Sequence, residues 1–477
     1  MGRITMKMYK KALGAACACA VSVSALTVST NASAANWLML QGTEPASTAK
    51  RINMWGFIQA QYQKDFSKPC EVSPCNDGAN GEYIPPKLIG PNLTSQEQFN
   101  VNRARLGARG TGFPLDSNVN YFILAEFGNN AITEGSNSFT KVTDASVTFN
   151  EIPGARVRVG LFKYPGAEEA LQAIHVFDYI EFTQVTNQML LERIPSTNGD
   201  LNQNLYPGGH GGPLGAEQNG FENGVSAFRD VGVQVFDAFT TGSWEHSYAV
   251  MYGNGNGLNL GDNDDNKDLY LYLSTELVLG GQGPKREGLK FFAWNQDGKR
   301  NFDNTADGTF NPQKFDRKRS GAGVKYFKKP FRVTAEYMQG KGMIFVGPDK
   351  PSFDQNGLLP NGNPAPGGDG TKGKAEGYYL DFGWYVPKTN WELDLRYDYY
   401  DRLKDDTGHP AGSLESQWKA TTVGVQYHVN RKTRVTVNYT SRDVKTPNFN
   451  PPAAAANPNK NMETIGDRVG LQVTHIF

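Results

Sequence analysis

Long apolar runs are missing from this 477-residue chain. After residue 34 no window reaches about eighteen consecutive apolar residues, so no membrane-spanning helix is predicted there. An excess of one charge is missing too, since 48 Lys plus Arg balance 48 Asp plus Glu. Because nucleic-acid binders carry a basic excess, we expect no nucleic-acid partner. The classes that remain are a soluble protein and a membrane β-barrel, in which only alternate residues face lipid.

Signatures of catalysis and cofactor binding are also lacking. The stretch GDNDDNKDL resembles a calcium loop, but Lys267 and Leu273 stand where Gly and Glu are needed. GDGTKGKA has the spacing of a phosphate-binding loop, but Ala375 replaces the Ser or Thr. There is no nucleophile elbow, and the six His residues show no metal spacing. We therefore expect neither an enzyme nor a metal or cofactor site.

The first 34 residues have the three parts of a signal peptide. A basic stretch ending at Lys11 precedes the apolar run 12–28, and Ala32-Ser33-Ala34 provides a small-residue cleavage site. A membrane anchor or a lipoprotein signal fits less well, because the run is short and continues past both of its cysteines. We expect a mature chain that starts near Ala35, outside the cytoplasm, with residues 35–51 as a periplasmic segment.

Cysteine is scarce in that mature chain. Only Cys70 and Cys75 remain after cleavage, within KPCEVSPCND. In an oxidising compartment this spacing favours a local disulfide, and a metal site would need further ligands nearby.

From residue 52 onward, polar and apolar residues alternate with period two. In WELDLRYDY, Trp391, Leu393 and Leu395 share one face, and Glu392 and Asp394 lie on the other. Such segregation indicates strands with one polar and one apolar face. The sixteen predicted strands are 52–64, 98–110, 119–128, 142–150, 156–163, 227–239, 244–252, 269–279, 287–296, 317–327, 331–339, 377–386, 391–400, 417–429, 433–442 and 465–477.

The connections between these strands alternate between short and long. Short ones such as EIPGA (151–155) and NRK (430–432) separate long Gly/Asn/Asp-rich ones such as 163–226 and 340–376. An outer-membrane barrel has this arrangement, with short periplasmic turns and long extracellular loops, and a β-sandwich does not. We therefore predict an all-β, transmembrane antiparallel β-barrel over residues 52–477. Aromatic residues at strand ends predict interfacial girdles: Tyr252, Tyr326, Trp384, Tyr385, Trp391, Tyr399, Tyr400, Trp418 and Phe477.

The chain closes on the alternating stretch VGLQVTHIF. A closed barrel must pair its last strand with its first, because open edges in lipid leave backbone groups without hydrogen bonds. A final Phe477 with apolar residues at alternate positions upstream also resembles the C-terminal signal read by the barrel-assembly machinery. The location expected is the outer membrane of a Gram-negative bacterium, in contact with lipid and lipopolysaccharide.

Several stretches resemble the phosphate-selective porin O and P family. They are RARLGARG (103–110), VRVGLFKYPGAEEAL (157–171), the 248–268 region, AEYMQG (335–340), LRYDYYD (395–401) and TRVTVNYT (433–440). The resemblance implies a sixteen-stranded, trimeric porin. It does not establish phosphate selectivity, because members of the family differ in solute.

Two groups of charged residues are candidates for controlling ion passage. An anion filter requires cations on the lumen wall, and the candidate pore-lining residues are Arg103, Arg105, Arg109, Arg156, Arg158, Lys163, Arg434, Arg442 and Arg468. The 163–226 loop carries the candidate constriction acids Glu168, Glu169, Asp178, Glu181 and Glu192. If this loop folds into the barrel, acids face a basic wall across the pore. We favour this mixed constriction over an all-positive wall.

Each candidate also has a simpler interpretation. A wall arginine can merely pair with a lumenal carboxylate, such as Glu126, Asp144, Asp230, Glu336 or Asp398, and the loop acids can be solvated outside the barrel. The leading functional hypothesis is passive diffusion of small polar or anionic solutes, such as phosphate or other oxyanions. The alternative is a barrel that scaffolds a partner protein, for example an electron-transfer cytochrome.

Overall fold

A computed structural model describes residues 36–40, 51–68, 97–112, 118–130, 140–191, 227–258, 260–262, 264–281, 286–302, 313–344, 372–405, 415–448, 463 and 465–477. The predicted signal peptide and the Cys70–Cys75 pair lie outside the described residues. In the described part, no helix has the length and apolarity needed to span a membrane.

Sixteen antiparallel strands form one closed barrel, in which β1 pairs with β2 and with β16. The strands are β1 Asn53–Asp65, β2 Glu97–Thr111, β3 Val119–Glu126, β4 Lys141–Phe149, β5 Arg156–Lys163, β6 Arg229–Thr241, β7 Trp244–Gly253, β8 Asp268–Gly280, β9 Glu287–Phe302, β10 Gln313–Lys328, β11 Phe331–Lys341, β12 Lys374–Tyr385, β13 Trp391–Arg402, β14 Ser416–His428, β15 Thr433–Lys445 and β16 Arg468–Ile476. The predicted fold class is confirmed, and each predicted strand has its counterpart.

The connections alternate in length around the barrel. Intervals such as 242–243 and 329–330 join strands at one end, which we call the short-turn end. Intervals such as 164–228 and 342–373 join strands at the other, the long-loop end. The seam closes where the backbone N–H of Phe477 donates to the carbonyl of Gly56 at 3.0 Å. The alternating C-terminal segment is therefore an integral strand of the closed sheet.

The barrel is polar inside and apolar outside. On β13, Asp394, Arg396 and Asp398 are almost fully buried, whereas Leu393 and Leu395 are 40% and 48% exposed. Buried charges beside exposed leucines reverse the pattern of a soluble protein and suit a wall that lies between water and lipid.

The predicted aromatic girdle is only partly correct. Tyr252, Trp391 and Phe477 are exposed on the outer face, as expected. Tyr400 and Trp418 are instead buried, and Tyr385 lines an internal cavity. Position at a strand end does not fix the face, because that depends on register.

A bulge reverses the faces of β2 part-way along the strand. The pairing with β1 passes from Arg103 to Val101, so Asn102 has no opposite residue. Phe99 and Val101 point outward before this site and Leu106 after it, while Asn102 and Arg103 are both buried. The bulge therefore turns Arg103 and Arg105 toward the lumen.

In the described ranges, helical structure is short and lies inside the barrel. Helix α1 (Trp37–Leu40) precedes the first strand, and α2 (Glu168–Leu171) follows β5. A 3-10 turn, Ile174–Val176, and a π-helical turn, Thr186–Leu190, continue the chain after α2. Residues 164–191, which we call the inward segment, include many fully buried apolar side chains, so this part of the predicted constriction loop lies inside the lumen.

Candidate functional site: the lumen constriction

The inward segment is fixed to the wall at several points around the barrel. The backbone N–H of Ile180 donates to Asn438 on β15 at 2.8 Å, and that of Gln184 donates to Asp398 on β13 at 3.1 Å. The Nε of Arg319 on β10 donates to the carbonyl of Met189 at 3.1 Å. Since these strands lie across the ring from β5, where the segment begins, the segment crosses the lumen and narrows it.

Glycines on the wall provide room for this crossing. A Cβ atom added to Gly377 on β12 would lie 2.8 Å from the Cβ of Val185. One added to Gly340 on β11 would lie 2.8 Å from the sulfur of Met189. Both distances are shorter than van der Waals contact, so a side chain at Gly340 would displace the inward segment. One at Gly377 would press on Val185 and also on the carbonyl oxygen of Tyr399 on β13, at 2.5 Å.

Two candidate acids of the inward segment are held by wall cations that sequence reasoning missed. Glu168 contacts Lys290 at 2.7 Å and Lys325 at 2.9 Å. Glu169 contacts Arg396 at 2.9 Å and accepts a 2.5 Å hydrogen bond from the Thr183 hydroxyl.

Two more candidate acids are held in the same way. Asp178 contacts Arg332 at 3.2 Å, and Glu181 contacts Arg468 at 3.1 Å. The fifth candidate, Glu192, lies outside the described residues. The four described acids therefore fasten the inward segment to the wall and are not solvated outside the barrel. Pairs buried in this way depend strongly on both partners.

Lys163 acts at the base of the segment. Its ammonium group donates to the carbonyls of Ala170 and Gln172, both at 2.7 Å, and is within 3.5 Å of that of Leu171. These groups belong to the C-terminal end of α2, where a cation satisfies carbonyls that lack helical partners. Lys163 therefore positions the inward segment.

Among the other candidate wall cations, four form ion pairs with carboxylates and three hydrogen-bond to uncharged groups. Arg105 contacts Glu126 at 2.6 Å, and Arg156 contacts Asp237 at 3.2 Å. Arg442 and Arg468 share Asp65, at 2.7 Å and 3.1 Å. For these four residues the structure shows the carboxylate pairing of the simpler interpretation.

Arg103, Arg158 and Arg434 hydrogen-bond to uncharged groups. Arg103 donates to Gln59 at 3.0 Å, and Arg434 donates to Gln426 at 3.1 Å and to the carbonyl of Phe177. Arg158 donates to the hydroxyl of Thr148 at 3.2 Å, and its guanidinium lies over the ring of Phe236 at 4.5 Å. Arg109 is also on the lumen side of β2 and is partly buried.

The ionisation of Glu168 and His175 depends on this packing. Burial opposes the charged form of Glu168, but Lys290 and Lys325 outweigh it and lower the pKa of Glu168 to about 2. Burial lowers the pKa of His175 to about 3, and Arg434 and neighbouring cations add to the effect. The docked segment therefore holds an ionised Glu168 and a neutral His175 near neutral pH.

We predict that acidification releases the inward segment in two stages. Once undocked, His175 regains its ordinary pKa of 6.5, so docking weakens as the pH falls from 6.5 toward 3. Undocked Glu168 titrates near 4.5, so its contribution is complete above that pH and is lost as the pH falls toward 2. Hydrogen-exchange protection of residues 168–190 should fall accordingly.

A His175→Asn variant separates the two stages. Its hydrogen-exchange protection should persist as the pH falls to 4.5, the ordinary pKa of glutamate, and should be lost below that pH as in the wild type. Identical pH profiles for the variant and the wild type would rule out a contribution from His175.

Comparison with known proteins adds likeness of fold only. No established protein family and no curated protein matches the sequence, so the resemblance to phosphate-selective porins stays a prediction.

Solved structures with a similar course of the chain include the outer membrane channel DcaP of Acinetobacter baumannii, with 12% identity, 92% of this chain and 100% of that chain covered, and a TM-score of 0.47. OmpF of Salmonella typhi, in complex with daunomycin, has 11% identity, coverage of 89% and 97%, and a TM-score of 0.45. A loop-deletion mutant of OmpT of Vibrio cholerae has 12% identity, coverage of 90% and 100%, and a TM-score of 0.46.

Proposed function

We propose that the protein is an outer-membrane porin through which small polar solutes diffuse passively. The observation that carries this proposal is a closed sixteen-stranded barrel with charged residues inside and apolar residues exposed outside. Barrels of this strand number are wide enough for an aqueous channel. Open space remains on both sides of the inward segment: one cavity reaches Lys290 and Arg332, and another reaches Arg396 and Arg468.

We propose further that the channel favours anions, including phosphate or other oxyanions. Four acids of the inward segment are neutralised by ion pairs with the wall. Arg103 and Arg434, by contrast, donate to uncharged oxygens. The carboxylates that act most strongly on them, Glu126 and Asp178, are already ion-paired with Arg105 and Arg332. In a narrow, low-dielectric lumen, a surplus of positive charge attracts anions and excludes cations. The acids therefore fix the position of the constriction, and the arginines make the electrostatic potential there positive.

Reversal potentials in planar bilayers under a salt gradient test both parts. We expect ion conductance with anion preference for the wild type, and a clear shift toward cations for Arg103→Gln. This substitution removes a charge without leaving a carboxylate unpaired, because the partner of Arg103 is Gln59. Lys318→Gln, on the exposed outer face, is the matched control and should leave the reversal potential unchanged.

The two parts of the proposal fail in different ways. Absence of conductance from correctly folded protein would refute the pore. Conductance with cation preference in the wild type would refute only the anion preference. Trimeric assembly and insertion through the barrel-assembly machinery remain predictions.

A further inference from the structure

We propose that residues 36–40 occupy the short-turn mouth of the channel and set the largest solute that can pass. The inference rests on the proposed pore function, because a size limit has meaning only for an open channel. It concerns a segment that precedes the first strand and is separate from the inward segment.

The position of these residues follows from their hydrogen bonds. The side-chain amide of Asn36 donates to Glu245 at 3.2 Å and also to the hydroxyl of Ser247. Glu245 and Ser247 are buried, lumen-facing residues at the start of β7, directly after the 242–243 turn. The Nζ of Lys325, near the end of β10, lies 5.9 Å from the centre of the Trp37 ring. The segment therefore lies inside the barrel at the short-turn end.

Its side chains are buried there although most of the lumen is polar. Trp37, Leu38 and Met39 are 3%, 3% and 5% exposed and belong to the apolar cluster that includes the inward segment. One turn of helix would not remain ordered by its own hydrogen bonds. Burial of three large apolar side chains therefore holds the segment in the mouth.

The same residues connect the mouth to the constriction. Lys325, under Trp37, also binds Glu168 of the inward segment. Glu245, which binds Asn36, also binds Arg286 at 3.0 Å, and Arg286 binds Glu276. Glu168, Lys325, Arg286 and Glu276 line one cavity beside the inward segment. A solute that leaves this cavity at the short-turn end passes the N-terminal segment next.

The inward segment and the N-terminal segment should differ in how firmly they are held in the lumen. The inward segment is joined to strands at both ends, whereas cleavage at the predicted signal-peptide site would leave residues 36–40 beside a free chain end. We infer that the wall arginines beside the inward segment set the charge preference of the channel, and that the N-terminal segment adds a size limit at the mouth.

Liposome swelling with uncharged sugars of increasing size tests the size limit. The triple variant Trp37→Ser, Leu38→Ser, Met39→Ser should admit larger sugars several-fold faster than the wild type and change the rate for the smallest sugar little. Leu260→Ser, at an exposed apolar residue of a long-loop connection, is the matched control and should behave as the wild type. An unchanged size limit in the triple variant would overturn the inference.

A disulfide test is independent of transport. In a Cys70→Ser, Cys75→Ser background, Asn36→Cys with Ser247→Cys should form a bond under copper phenanthroline oxidation, detected by mass spectrometry of peptides. Asn36→Cys with Gln472→Cys, on the lumen side of β16, should not.

The outcomes separate the inference from the pore function. If no sugar enters with any variant but the Asn36–Ser247 cysteine pair forms, the pore proposal fails and the placement of the segment stands. If sugars enter and this pair does not form, the pore stands and the placement is refuted.

Discussion

Replacing residues 166–226 with a short Gly-Ser connection is expected to raise the single-channel conductance several-fold. Lys163 and Arg229 are register partners on β5 and β6, so a short linker can join the two strands without disturbing the barrel. The replacement removes a segment that crosses the lumen and contacts β10, β13 and β15. Since conductance depends on the narrowest cross-section, its removal should have a larger effect than any change of a single charge.

Two point variants test the same idea with the chain intact. Gly377→Leu and Gly340→Leu place side chains where Val185 and Met189 now contact the wall. Gly340→Leu is the cleaner test, because the new Cβ at Gly377 also meets the Tyr399 carbonyl oxygen on β13. Each should displace the inward segment and raise the conductance by less than the replacement does. Gly261→Leu, at a glycine with open space around it, should leave the conductance at the wild-type value.

A wild-type conductance in the replacement variant would show that the inward segment does not limit the pore. If the conductance rises in the replacement variant but stays at the wild-type value in the two leucine variants, the inward segment shifts to accommodate the leucine side chains without widening the pore. In both cases the folded state must first be checked by the change in gel mobility on heating.

The sequence predicted the barrel well because the membrane imposes a simple pattern. Alternation of period two identified sixteen strands, and their bounds agree with the structure to within a few residues at most ends. The largest difference is at β9, which extends to Phe302 and not to 296. Its outward residues become polar from Asn295, so the apolar alternation ends although backbone pairing with β10 continues. Hydropathy marks where lipid ends and does not mark where the strand ends.

The candidate site was harder to predict because it depends on contacts across the lumen. The acids Glu168 and Glu169 were recognisable from their density in one loop. Their partners Lys290 and Arg396 stand on the polar faces of ordinary strands, and nothing local distinguishes them from other wall charges. Only the path of the inward segment decides which cation each acid meets. Lys163 shows the same difficulty. Its place in a stretch that resembles a porin family suggests a pore-lining cation, and only the folded structure reveals that it binds the carbonyls at the C-terminal end of α2.

Truncation of Arg396 should have the largest effect on stability. Arg396 is 2% exposed and lies between Glu169 at 2.9 Å and Asp381 at 2.7 Å, with its guanidinium 3.9 Å from the centre of the Tyr179 ring. Arg396→Ala leaves two buried carboxylates without their cation, which should cost about 3–5 kcal/mol in the free energy of unfolding. Urea titration of the protein in lipid vesicles, followed by gel mobility, measures this change.

The matched control is Lys318→Ala, which removes a cation from the same kind of strand. Lys318 is 3.5 Å from Asp297, but the two side chains are 46% and 53% exposed. Water screens such a pair, so its loss should cost at most about 1 kcal/mol. If buried charge causes the loss in Arg396→Ala, then adding Glu169→Gln and Asp381→Asn should recover part of it, because neutral amides need no cation. No recovery would mean that stacking on Tyr179, and not the ion pairs, holds the inward segment against β13.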